Sequence, residues 1–146
     1  MYHRILVPLD GTEHSRHALG EAIRIATDAG ARLRLLFVVE DLHPWDFHVS
    51  LHTRRIERAD ENRVKKLLLA AVDFARHKGL RVDGVMRFAE GEPVHSLIAR
   101  EAEAAQIDLV VMGSRGGFSF GPFQFGSVAQ KVAQYCRVPV MILRKE

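Results

Sequence analysis

The sequence predicts an α/β domain built on an open, five-stranded parallel sheet with helices on both faces. Three observations predict it. Short apolar runs alternate with longer stretches of helical periodicity four times over, and a last strand follows. Two of those runs, Ile5 to Leu9 and Leu33 to Val39, are near-continuously apolar, as strands covered on both faces must be. No linker, low-complexity segment or internal repeat breaks the 146 residues, a length that suits one domain, 1–146.

The elements follow in order. Ile5-Leu6-Val7-Pro8-Leu9 is a buried strand that stops at the turn signal Asp10-Gly11. From Thr12 to Ala29, Ala18, Leu19, Ala22, Ile23 and Ala26 recur at helical spacing, and Gly30 supplies a left-handed stop. The second strand is Leu33 to Val39. After the irregular stretch Leu42 to Asp46, the spacing predicts a long helix from about Ile56 to His77. Its buried stripe is Val64, Leu67, Leu68, Ala71, Val72 and Ala75, and Gly79 ends it. Val82 to Phe88 alternates more and so reads as a strand nearer the edge of the sheet. Gly91-Glu92-Pro93 opens a third helix with Val94, Leu97, Ile98 and Ala102 on one side. Ile107 to Met112 is the fourth strand, Ser127 to Tyr135 a short helix, and Val138 to Leu143 the fifth strand.

Composition narrows the function classes. Hydrophobic residues make up 47% and charged residues 27%, and no run reaches the roughly 20 apolar residues of a membrane helix. The opening Met1 to Ile5 runs straight into a strand pattern, so no signal peptide is expected. A lone Cys136 excludes an internal disulfide framework and suits a reducing cytoplasm. Its place at a helix end favours burial over reactivity. The 21 basic and 18 acidic residues are scattered, a balance too mild to point to nucleic acid. One region is uneven: five of the 11 glycines and four of the 8 phenylalanines fall between Gly113 and Gly126.

In open α/β sheets ligands bind beyond the carboxyl ends of the strands, where the strand order reverses. With the order 3-2-1-4-5, the commonest solution with short right-handed crossovers, the first and fourth strands flank that reversal. Two unusual loops would then face each other: Pro8 to Thr12, and Met112-Gly113-Ser114-Arg115-Gly116-Gly117. Glycines let the backbone approach a ligand closely and aim successive N–H groups at phosphate oxygens. Gly126-Ser127 begins a helix, whose free N–H groups and dipole attract anions, and Ser127 adds a hydroxyl. The Gly-Lys-Ser/Thr ending of a P-loop is missing, and the glycines do not follow the first strand as in a dinucleotide fold. A plain flexible surface loop would also account for them. Asp10 has two readings that do not exclude one another. Asp10-Gly11-Thr12-Glu13 fits a capping box with Asp10 as N-cap. The carboxylate could equally meet a ribose hydroxyl, an adenine amine or a metal on the phosphates.

Gly113-Ser114-Arg115-Gly116, nine further residues and Gly126-Ser127 match the G-x2-G-x9-G-[S/T] signature of ATP-binding universal stress proteins. Ile5 to Glu13, Leu35 to Val39, Gly91-Glu92-Pro93, Asp108 to Met112 and Val138 to Ile142 are similar to that family's other landmarks, in order along the whole chain. The resemblance implies a Rossmann-like sheet of order 3-2-1-4-5, similar to adenine nucleotide alpha hydrolases, and a homodimer paired through the last strand. It implies a stress-response regulator that binds ATP, ADP or AMP, with Mg²⁺ on the phosphates and little catalysis. Carried over by position, Asp10 approaches the ribose or adenine, with Pro8 shaping that turn, and Val38 meets the adenine edge through its backbone. Gly113, Arg115 and Gly116 line ribose and phosphates after Met112, while Gly126, Ser127 and Val128 bind phosphates at the helix start.

The sequence departs from the family in the spacer. Gly117 to Phe125 carries four phenylalanines and no charge, where many relatives have leucine with lysine or arginine. The Phe118–Phe125 loop could be a contact surface of a nucleotide-free interaction protein, or it could fold onto the domain's own core. A slow ATPase is a further alternative, with Asp10 as the nominated base. Other signals are weaker. His48 and His52, with His43 nearby, lack partners for a zinc-like set, and the HExxH and CxxC patterns are absent. His14 and His17 are expected to face solvent. No G-x-S-x-G elbow is present, and Trp45 could pack over the pocket or a partner.

Overall fold

A computed structural model describes residues 1–39, 52–114 and 126–144. Strand and helix alternate as β1 (Arg4–Leu9), α1 (Glu13–Ala29), β2 (Arg32–Val39), α2 (His52–Arg76), β3 (Val82–Phe88), α3 (Val94–Ala104), β4 (Leu109–Gly113), α4 (Ser127–Tyr135) and β5 (Val140–Leu143). All pairings are parallel and the order is β3-β2-β1-β4-β5, as expected. No helix among the described residues is long and apolar enough to cross a membrane.

Strand alternation builds a core on each face. Ile5, Val7, Leu33, Leu35, Leu109 and Val111 point to one side and pack on α1 and α2 through Ala18, Ala22, Leu68 and Val72. Leu6, Leu36, Val110 and Met112 point to the other and pack on α3 and α4 through Ile98, Ala102, Ala129 and Val132. The chain winds one way from β1 to β3, crosses through α3 to β4 and then winds the other way. Its helices therefore change face at the β1–β4 pairing.

Several ends differ from the periodicity. The fourth strand begins at Leu109 because Asp108 has another task. Its carboxylate accepts the N–H groups of His3 (2.8 Å) and Arg4 (3.0 Å), clamping β4 to the start of β1. The fifth strand begins at Val140, since Pro139 has no N–H to give a ladder, although its carbonyl accepts from Val110 at 2.9 Å. The second helix starts earlier than expected, at His52, and ends at Arg76. Of its predicted stripe, Leu68, Val72 and Ala75 are buried and Val64 and Ala71 half-buried. Leu67 is 38% exposed, at the stripe's margin. Cys136 caps the end of α4 and is half-buried rather than buried.

One buried charge stands in the α3 layer. Glu101, 6% exposed, accepts from Arg34 Nε at 2.8 Å and from Arg87 Nε at 3.0 Å, and Arg34 also pairs with Asp83. Burial alone would push the Glu101 carboxyl up. The hydrogen bonds and charges of Arg87 and Arg34 outweigh burial and hold it below its usual range. Such a group stabilises the fold above its unfolded pKa, and that contribution is lost as pH falls through the lowered folded value. Glu101→Gln should therefore cost about 1–3 kcal/mol near neutrality. The gap from wild type should shrink as pH falls below the ordinary glutamate range and through the lowered folded value, where the wild-type carboxylate protonates as well. Urea unfolding of both proteins at about pH 7 and pH 3 checks this; an equal gap at both would contradict it.

Candidate functional site

The turn after β1 is built by side chains of its own. Gly11 takes the left-handed conformation (φ 82°) that lets the chain reverse. Asp10 Oδ1 then accepts the N–H of Thr12 at 2.9 Å, an Asx turn, and the Thr12 hydroxyl donates to the same oxygen. The N-cap of α1 is consequently Thr12, not Asp10: its hydroxyl accepts the N–H of Ser15 at 3.3 Å. Buried Ser15 ties the turn together, accepting from the Asp10 N–H (3.4 Å) and donating to the Thr12 carbonyl (3.0 Å). Thr12 and Ser15 were not among the expected site residues. The Thr-x-x-Ser spacing before an apolar stripe is the signal that marks them. Asp10 is left exposed at the mouth of the turn.

The carboxyl ends of β2, β1 and β4 bring three further expected residues onto one face. Met112 is 6% exposed and lies in the α3/α4 core, with Val38 half-buried against it. Pro8 is half-buried, two residues beyond Leu6 on the same side of β1. Beyond this floor the chain leaves β4 through Gly113 and Ser114. Ser114 is 3% exposed; its N–H donates to Leu143 of β5 at 2.8 Å and its carbonyl accepts the N–H of Gly126 at 2.5 Å. That last bond brings the start of α4 back to the end of β4 and joins the two ends of the glycine-rich segment.

At α4 the N-cap is Gly126, with extended backbone and no side-chain capping bond. The first N–H groups of a helix have no acceptor within it, so those of Ser127 and Val128 remain for another acceptor. Ser127 is exposed, whereas the Val128 side chain packs toward the α3/α4 core and can offer a ligand only its backbone. Arg115, Gly116 and the Phe118–Phe125 loop lie outside the described residues, as do Trp45, His43 and His48.

Gly113 meets a tighter constraint than its expected role suggests. A Cβ there would lie 2.8 Å from the backbone carbon and oxygen of His14. Absence of a side chain thus lets the end of β4 sit against the first turn of α1. His14 is half-buried by this contact rather than facing solvent, and its Nδ1 is buried with no hydrogen-bond partner among the described residues. His17 does face solvent. Among the described residues no three metal-ligating side chains come together.

A family model described as the universal stress protein family matches residues 1–144. Universal stress protein YxiE of Bacillus subtilis strain 168 is 32% identical, covering 99% of this chain and 100% of that protein. Universal stress protein UspA from Lactobacillus plantarum superposes with TM-score 0.85 at 25% identity, covering 98% of both chains. A universal stress protein in complex with cAMP superposes at TM-score 0.73 (20% identity; 98% and 97% covered). One from Archaeoglobus fulgidus in complex with dAMP gives 0.68 (21%; 97% of both).

Gly113→Ala should force β4 and α1 apart, because the atoms met are backbone and cannot rotate away. A loss of about 1–3 kcal/mol, the usual cost of overpacking, is expected in urea unfolding. An unchanged midpoint would show that the contact has slack.

Proposed function

The chain belongs to the universal stress protein family, and from that membership we propose a stress-response regulator, one domain over 1–146, that binds an adenine nucleotide with little or no turnover. The observation that carries this reading is that three features lie at the carboxyl ends of the neighbouring strands β2, β1 and β4. They are the exposed Asp10 beyond β1, the floor of Pro8, Val38 and Met112, and the uncapped start of α4 held to β4 by the Ser114–Gly126 bond. The floor suits a flat, largely apolar base. Asp10 suits the ribose or base edge, and the N–H groups of Ser127 and Val128 with the Ser127 hydroxyl suit phosphate oxygens. By their positions in the family's motif, Gly113, Arg115, Gly116 and Gly126 would complete the phosphate side. The cAMP and dAMP bound by structural neighbours are adenine nucleotides as well.

ATP, ADP and AMP share the groups this crevice addresses. Mg²⁺ would bind through the phosphates, with Asp10 as a carboxylate at the mouth, consistent with the ion's habit of keeping few protein ligands. Turnover would require a group to orient water. The nominated base, Asp10, has an oxygen committed to the N–H and hydroxyl of Thr12. A homodimer fits the sheet edge. Val140 to Leu143 are all apolar and half-buried, and among the described residues β5 has a strand neighbour only on its β4 side. A cytoplasmic setting suits the single cysteine.

Calorimetric titration with ATP and Mg²⁺ should give a saturable isotherm. Ser127→Ala should weaken binding about tenfold, the worth of one hydrogen bond to a charged group. Gly126→Val should abolish binding at this crevice while leaving the far-ultraviolet dichroism unchanged. No heat with ATP, ADP or AMP at millimolar concentration would overturn the proposal.

A further inference from the structure

A second cavity lies at the opposite end of the sheet, against the amino ends of β1, β2 and β3. It measures about 610 Å³, within the range of small-molecule sites. Strand register explains its lining. Arg4 pairs with Arg32, and the Leu33–Val82 pairing sets Arg81 beside Arg32. Leu33 and Val82 belong to the α1/α2 core, so Arg32 and Arg81 project to the α3 face, as Arg4 does two residues before Leu6. Three guanidinium groups thus stem from one row across adjacent strands, about 4.8 Å apart per step. Arg34 and Arg87 add two more positive charges to the lining.

The charges do not cancel. The two carboxylates in the lining, Asp83 and Glu101, are engaged by Arg34 and Arg87. Arg4 meets a neutral acceptor, Gln106 Oε1, at 2.9 Å. The guanidinium groups of Arg32 and Arg81 have no ion pair or hydrogen bond among the described residues. Like charges in neighbouring strands repel, and a cavity that keeps them together is stabilised by an anion. Planar guanidinium forks match phosphate oxygens in pairs, and a row spanning two strand spacings suits linked phosphates better than one.

We propose that this cavity is a second ligand site, for a small anion carrying two or more linked phosphate groups, at the end of the sheet opposite the nucleotide crevice. The Glu101 ion pairs hold Arg34 and Arg87 in place as its wall, and Arg4, Arg32 and Arg81 contact the anion. Free polyphosphate and the polyphosphate tail of a nucleotide share this chemistry.

Amide NMR titration of the whole chain with inorganic tripolyphosphate tests it. Saturable shifts are expected at Arg32–Arg34 and Arg81–Asp83, weakening steeply with salt. The exposed pair Arg32→Gln with Arg81→Gln should lower the affinity at least about tenfold without lowering the unfolding midpoint or changing the ATP-induced shifts at Gly126–Ala129. If that protein were to misfold, Arg81→Gln alone should still lower it severalfold. Repeating the titration with ATP on the Gly126→Val protein separates the sources: shifts at the arginine row support a nucleotide tail, and their absence beside a tripolyphosphate response supports free polyphosphate. The proposal is overturned by tripolyphosphate shifts confined to Gly126–Ala129, by shifts that never saturate, by none at millimolar concentration, or by equal affinity in the arginine variants.

Discussion

The parallel pairing of β1 with β4 is the constraint on which the other features depend. Ile5 lies opposite Leu109 and Leu6 opposite Val110, and Asp108 clamps the amino end through the N–H groups of His3 and Arg4. At the carboxyl end the two chains must part, because α1 covers one face of the sheet and α4 the other. A crevice at that point follows from connectivity rather than from any side chain. Gly113 sets how tightly one wall closes, since only a residue without Cβ lets β4 lie against the backbone of His14.

Around this crevice, local hydrogen bonding settles what each group can do. The Asx turn of Asp10 and the Thr12 cap remove α1's own need for the carboxylate and leave Asp10 at the mouth. Ser114 bridges β5 and the start of α4 through its backbone, so the helix that offers N–H groups is anchored directly to the sheet. The two ends of the sheet also differ in kind. The carboxyl end presents backbone donors and an apolar floor, whereas the amino end gathers arginine side chains around buried Glu101.

Much of this was legible in the sequence because periodicity and glycine placement report on backbone geometry. The two continuous apolar runs marked central strands, the alternation in Val82 to Phe88 marked an edge, and Gly30 marked a helix stop that takes φ 68°. Tertiary partners were not legible. Asp108 reads as part of a strand until His3 and Arg4 lie beside it, and Asp10 reads as a cap until Thr12 captures its oxygen. Leu67 fits the stripe of α2 by spacing but falls at its margin. The arginine row was invisible for the same reason: Arg4, Arg32 and Arg81 are far apart in sequence and become neighbours only through strand register.

The central claim is that an adenine nucleotide occupies the β1–β4 crevice. Hydrogen–deuterium exchange with and without saturating ATP and Mg²⁺ measures this at the residues concerned. The account predicts slowed exchange in both Asp10–Ser15 and Gly126–Val128, with the amino ends of β2 and β3 less affected. Protection absent from both segments under saturating nucleotide would contradict it.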